Sequence, residues 1–215
     1  MTQTRSCGDI IAQACTERGI PLTVLIAPDQ QYGVPSVLSD DEQGAYDAAV
    51  YLARHGHRSI GLAMVKGSAV HESRLAGYQR ALQDLGLASS IPRVIRCAGH
   101  DELDAYAHAK LHLEANGCNF SALVCCNDFM AFGVLRFLRE KGLEIPRDVS
   151  IVGCDDSIGR YLFPPLTSIA IPKAQLAKSA VHMLLEQMQG EGPESKRIVF
   201  PQKLVVRNSV HIVAG

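Results

Sequence analysis

Tryptophan is absent from these 215 residues, and aromatic residues make up only 6% of them. Proteins that hold single-stranded nucleic acid by base stacking need more aromatic surface, which sets that class aside. An excess of either charge is missing too: 21 Lys and Arg face 22 Asp and Glu, a formal net charge of −1. That leaves no basic footprint for nucleic acid and no polybasic patch for an anionic membrane. No apolar run approaches the length of a membrane span. The N-terminal MTQTRSCGDIIAQA has no long apolar core behind a basic segment, so no secretory leader is expected. The seven cysteines (Cys7, Cys15, Cys97, Cys118, Cys125, Cys126, Cys154) are odd in number and contain no C-x-x-C spacing. Several lie inside apolar runs, where cysteine behaves as a small hydrophobe. This pattern argues against a disulfide framework and for a reducing cytosol.

What is present can build a core. Hydrophobic residues make up 47% of the chain, and its length suits one large domain or two small lobes. Short β-rich runs alternate with amphipathic segments of about a dozen residues, the pattern of a mainly parallel sheet with helices on both faces. Helices are expected over 8–18, 42–56, 72–85, 102–115 and from Pro172 to Gly190. Strands are expected over 21–27, 36–38, 59–65, 93–97 and 166–171, with a final pair at 197–200 and 203–206. Residues 28–33 and 190–195 read as loops, and an Asp at 40 or 41 suits a helix cap. The stretch from Ser121 to Asp156 gives the clearest strand–helix–strand unit. Its apolar runs stop at the polar pairs Asn127-Asp128 and Asp155-Asp156. Ligands of open α/β sheets sit outside the carboxyl ends of the strands, so these pairs are candidate pocket residues.

Each candidate has two readings. Arg74 presents a fixed fork of donors suited to neighbouring hydroxyls or a carboxylate; it also reads as a surface arginine paired with Glu72 or Asp155. Asn127 offers donor and acceptor to a hydroxyl-rich ligand, or an ordinary N-cap, and spacing favours the cap. Asp128 reads as a cap or brace. Asp155 can accept two hydroxyl bonds or close a turn. His100 reads as a loop histidine. His108 and His112 have the i,i+4 spacing of a metal pair, but no third ligand accompanies them, so a solvated helix face is the expected reading and no metal site is assigned. Cys125 and Cys126 point to alternate faces of a strand and read as core. Ser68 and Ser73 lack a nucleophile-elbow context, and Gly67-Ser68 makes no phosphate loop.

Four blocks resemble one family. GHRSIGL (56–62), SRLAGYQRAL (73–82), LVCCNDFMAFGVLRFLREKGLEIPRDVSIVGCDD (123–156) and PPLTSIAIPKAQLAKSAVHMLLEQM (164–188) are similar, in order and spacing, to the effector-binding core of LacI/GalR-type transcription regulators. That core in turn resembles periplasmic sugar-binding proteins. The resemblance implies a two-lobed, periplasmic-binding-protein-like α/β fold with parallel sheets flanked by helices. Residues 1–56 plus 165–190 would form an N-terminal lobe and 57–164 plus 191–215 a C-terminal lobe, with a sugar or nucleoside-like effector bound between them. It aligns Arg74 and Asp155 with the family's ligand-binding residues, favours the ligand role for Asn127, and puts His100 where relatives place a stacking aromatic. It further implies a cytoplasmic homodimer that meets DNA only through a helix-turn-helix headpiece, with no cofactor and no catalysis. That headpiece and the first part of the N-terminal lobe find no counterpart in these residues. An incomplete lobe is expected to expose apolar surface and to associate. A solute-binding protein for transport is the alternative, against which the lack of a leader and the cysteine content speak.

Overall fold

The structure, a computed structural model, describes residues 7–26, 33–88, 93–191 and 196–213. In chain order the elements are α1 (Cys7–Glu17), β1 (Val24–Leu25), β2 (Ser36–Ser39), α2 (Asp41–Arg54), β3 (Ile60–Val65), α3 (Ala69–Asp84), β4 (Val94–Cys97) and α4 (Glu102–Asn116). Then follow β5 (Ala122–Cys125), α5 (Asp128–Glu140), β6 (Ser150–Asp155), a 3-10 turn (Gly159–Tyr161), β7 (Thr167–Ala170), α6 (Lys173–Met188), β8 (Arg197–Phe200) and β9 (Lys203–Val205). The α/β, parallel-sheet class expected from the alternating pattern is the one found.

Packing divides the chain into two compact units, Met1–Asp40 with Pro172–Pro201, and Asp41–Ile171 with Gln202–Gly215. The smaller holds a parallel sheet in the order β1-β2-β8. Its helix α6 packs on β1 and β2, and Gln187 bonds the chain entering β1, accepting from Leu22 N (3.2 Å) and donating to Thr23 Oγ1 (2.9 Å). Ile11, Val181, Leu185 and Met188 of this unit are exposed. The resemblance implies other cuts, after residues 56, 164 and 190; packing groups α2 and β7 with the larger unit and β8 with the smaller.

The larger unit carries a six-stranded sheet, order β4-β3-β5-β6-β7-β9, parallel except for β9. β3 and β5 are buried along their whole length and β6 along all but its last residue. Continuous apolar runs such as IGLAMV and ALVC belong in strands covered on both faces. The chain runs from β3 outward to β4, then returns across β3 to β5 and on to β6 and β7. Right-handed crossovers therefore put α3 on one face and α4 and α5 on the other. The helices pair accordingly, α2 with α3 and α4 with α5. Glycine makes each pairing close: a Cβ on Gly77 would meet the Glu42 carbonyl oxygen at 1.9 Å, and one on Gly133 the Glu102 carbonyl oxygen at 2.1 Å. Phe137, Leu62, Leu123 and Ile151 are among the fully buried side chains of this core.

Several boundaries differ from the sequence reading. Helix α3 starts at Ala69 because Ser68 caps it, accepting from His71 N (3.5 Å). Pro172 is the N-cap of α6, one position before the first helical residue. The strand expected over 21–27 is reduced to Val24–Leu25, and the loops expected at 28–33 and 190–195 fall largely outside the described residues. The last two strands do not pair with each other: β8 joins β2 in parallel and β9 joins β7 antiparallel. Among the described residues no helix is long and apolar enough to cross a membrane. Cys15, Cys97, Cys118, Cys125, Cys126 and Cys154 are free thiols.

Candidate functional site

The direction of the sheet changes at β3, with β4 laid on one side and β5, β6 and β7 on the other. At such a switch point the loops leaving neighbouring strands diverge and open a crevice at their carboxyl ends. The four residues singled out from the sequence all follow these strands. Arg74 lies on α3 after β3, His100 after β4, Asn127 two residues past the end of β5, and Asp155 ends β6.

Arg74 is not a solvated surface arginine. It is 4% exposed, and its Nε and Nη2 donate to Asp41 Oδ1 at 2.8 and 2.7 Å. Its Nη1 donates to the Cys126 carbonyl, and Nη2 stands 3.8 Å from Asp155 Oδ1. Asp41 is itself buried and takes a third bond, from Gln202 Nε2 at 2.9 Å. Burial works against the Arg74 charge, but Cys154, Asp41, Cys126 and Asp155 around it hold the proton more firmly than usual. The two carboxylates supply that attraction at neutral pH, because burial pushes the Cys126 thiol up to about 12 and the Cys154 thiol well above its ordinary value.

Asp155 sits at φ 90° and Asp156 at φ 44°, left-handed backbone that aspartate tolerates better than most residues. Such strain persists only where surrounding bonds fix it. Here they do. Asp156 N donates to Ser168 Oγ (3.2 Å), and its carboxylate pairs with Arg207 Nη1 (2.7 Å). Asp155 is left partly exposed at the strand end, a carboxylate that can only accept.

Asn127 takes the cap role that spacing favoured. Its Oδ1 accepts from Met130 N (2.6 Å) at the start of α5, and its Nδ2 donates to the His100 carbonyl (3.0 Å). One N–H and one lone pair of the amide lie beyond those two bonds. His100 is exposed, and its ring meets His71 edge-on with centroids 4.9 Å apart. Asp128 braces rather than caps α5. It is fully buried: Oδ2 accepts from Ser157 N (2.8 Å), Ile158 N (3.2 Å) and Gly159 N (3.0 Å), and Oδ1 from Ser168 Oγ (2.6 Å). One carboxylate thus ties the start of α5 to the turn after β6 and to β7.

The sequence reading missed Asp41 as a site residue, and Gln202 and His71 altogether. His71 is buried, and its Nδ1 accepts from Val65 N (2.9 Å), so its proton is on Nε2. Burial, the Arg74 cation and His100 lower its pKa to about 3, which keeps it neutral. Its i,i+3 spacing from Arg74 on a helix was the available signal. Asp41 is 33 residues from Arg74, and no spacing rule connects them. The formal charge of the cluster is one cation against two carboxylates. With Arg74 neutralised by Asp41, the site suits an uncharged ligand rich in hydroxyl donors better than an anion.

A family model described as "Periplasmic binding protein-like domain" matches residues 49–210. The ribose operon repressor of Haemophilus influenzae is 32% identical over 211 residues, covering 95% of this chain and 62% of the relative. The HTH-type transcriptional repressor PurR of Vibrio campbellii is 32% identical over 195 residues, 89% of this chain and 57% of the relative. The chain therefore spans about three-fifths of the length of these curated relatives. A solved LacI family transcriptional regulator of Enterococcus faecium with bound ribose superimposes with a TM-score of 0.86 at 26% identity, covering 97% of this chain and 77% of that one.

Proposed function

The chain belongs to the periplasmic binding protein-like family, as the effector-binding core of a LacI/GalR-type regulator, and from that premise we propose that it senses a sugar or nucleoside-like small molecule for a DNA-binding transcription regulator. The observation that carries this reading is the buried Arg74, oriented by Asp41 and facing Asp155 at the strand ends. A fixed guanidinium fork beside an acceptor-only carboxylate matches adjacent hydroxyl groups, where one accepts and the next donates. Asp155, Arg74 and the remaining valences of Asn127 contact the effector in this reading, and His100 closes over it. The lobes follow the bounds that the resemblance implies.

DNA is met through a headpiece, as the HTH-type relatives' names suggest, and the regulator works in the cytoplasm as a homodimer without catalysis. The surface around α5 supports self-association: Phe132, Leu135, Arg136, Arg139, Leu162 and Phe163 line a groove, and Phe163 is 78% exposed. Exposed aromatic and arginine side chains grouped in this way are common at protein interfaces. A solute-binding protein for transport would share the pocket chemistry, but the relatives are regulators.

An effector can move a regulator only by binding its states unequally, so binding is the first thing to test. Thermal melting is followed across a panel of pentoses, hexoses, disaccharides and nucleosides. At least one compound is expected to raise the melting temperature of the wild-type chain and not that of Asp155→Asn. A panel without effect, or an equal shift in both proteins, would overturn the proposal.

A further inference from the structure

Where β4 meets α4, three side chains of metal-ligating type converge. Cys97 Sγ, the Asp104 carboxylate and the His108 ring present ligand atoms that all lie within 4.8 Å of one another, the one such trio among the described residues. We propose that Cys97, Asp104 and His108 bind a thiophilic divalent cation of the zinc type.

Asp104 and His108 are four apart on α4 and share a face, with His108 Nδ1 3.3 Å from Asp104 Oδ2. Asp104 is already oriented: Ala98 N and Gly99 N both donate to Oδ2 at 2.9 Å. Amide donors of this sort fix a ligating carboxylate in metal sites, and two bonds leave it lone pairs for a cation. Cys97 lies at the end of β4 and is buried, while Asp104 and His108 are part-buried, so the trio runs from the core to the surface. Burial, then Asp104 and Asp101, push the Cys97 thiol up to about 12. A divalent ion at the trio would offset the negative potential that these two carboxylates place on the sulfur. Sulfur, nitrogen and oxygen together are the donor set of a borderline-soft metal. Tetrahedral coordination would bring the donors to about 3.5 Å from each other, closer than their present widest separation, and leave a fourth position to water.

Binding costs one exchange and one proton. His108 Nδ1 now also contacts the Asp104 carbonyl (2.9 Å), which the ring must leave if that nitrogen ligates. The Cys97 thiol proton goes to solvent as the thiolate–metal bond forms, so affinity rises with pH. This site revises the expectation for the helix face. His108 joins a trio that periodicity did not show, whereas His112 turns its Nε2 into the protein without a hydrogen-bond partner and lies against Phe120. The loop that supplies the Ala98 and Gly99 amides also carries His100, whose carbonyl holds Asn127, so an ion here would stiffen one edge of the candidate pocket.

The test is a Co2+ titration of the chelator-stripped full chain under a non-coordinating reductant, followed by absorption spectroscopy. One equivalent is expected to raise a thiolate-to-cobalt charge-transfer band that Zn2+ abolishes. The band should be lost in Cys97→Ser and in Asp104→Asn, and lost or shifted in His108→Gln, with circular dichroism unchanged in each. His108→Gln alters a part-buried side chain and serves if the buried Cys97→Ser does not fold. No band in the wild type would overturn the proposal. So would a band that survives Cys97→Ser, which places the ion on other cysteines, or one identical in His108→Gln.

Discussion

Asp41 and Arg74, 33 residues apart, share a single carboxylate oxygen: both Nε and Nη2 of the guanidinium reach Asp41 Oδ1. The first residue of α2 thereby aims a side chain of α3 at the end of β6. Close packing of the two helices across Gly77 makes that reach short. Removing one member of a buried ion pair leaves the other charge unpaired, at a cost of about 3–5 kcal/mol. Asp41→Ala is therefore expected to destabilise by about 3 kcal/mol. Asp41→Asn, which keeps an acceptor, should cost about 1–2 kcal/mol less than that. Urea unfolding measures both, and equal losses would show that the charge is immaterial.

Gly77→Ala sets two effects against each other. Helix propensity favours alanine by about 1 kcal/mol. Sterics oppose it, because the new Cβ would lie 1.9 Å from a backbone oxygen that cannot swing away. Overpacking of this kind costs about 1–3 kcal/mol or more, so sterics should win. The expected outcome is a lower melting temperature, together with weaker effector binding as Arg74 is drawn from Asp41.

Asp128 accepts four hydrogen bonds in a fully buried position. Asp128→Ala orphans three backbone N–H groups and a hydroxyl, each costing about 1–3 kcal/mol. A loss of about 4 kcal/mol or more is expected. Hydrogen exchange should show the amides of Ser157, Ile158 and Gly159 losing protection first. Uniform loss of protection across the sheet would assign Asp128 a different role.

How much of this was legible depends on whether the information was local. Strands β3, β5 and β6 declared themselves as unbroken apolar runs, and Asn127 and Asp155 as polar residues where such runs stop; Arg74 stood out only as a donor fork on the helix after β3. Asn127 capped its helix as spacing indicated. The Asp41–Arg74 bond was not legible, since an aspartate at a helix start already has a sufficient local explanation as a cap. Nor was the parting of β8 and β9: two short strands around Pro201-Gln202 read as neighbours, and only the wider topology sends one to β2 and the other to β7. Cys97 carried no signal of its own at the end of an expected strand, and its nearness to Asp104 and His108 depends on how α4 lies over β4.

Two neutral histidines are expected to steepen the acid limb of stability. Burial, with His211 and His55 nearby, lowers His57 to about 4, and His71 is lowered to about 3. Unfolded histidine takes its proton near pH 6.5. Below that pH the unfolded chain binds more protons than the folded one, so stability falls as pH drops from 6.5 toward the folded values and is flat in these groups above 6.5. Each contributes a slope of up to about 1.4 kcal/mol per pH unit between pH 6 and pH 4. His57→Gln should flatten that limb, since Gln retains a polar partner for Ser121, which His57 Nδ1 contacts at 3.0 Å. An unchanged slope would remove His57 from the explanation.

The most direct measurement is calorimetric titration of the best compound from the melting panel into wild type, Asp155→Asn and Arg74→Lys. Hydrogen bonds to charged groups are worth about 1.5–3 kcal/mol, which corresponds to a Kd weakened by about 10- to 150-fold. Asp155→Asn should show a loss in that range. Arg74→Lys, which keeps the charge but not the fork, should lose at least as much. Affinities unchanged in both variants would contradict an effector site built on Arg74 and Asp155.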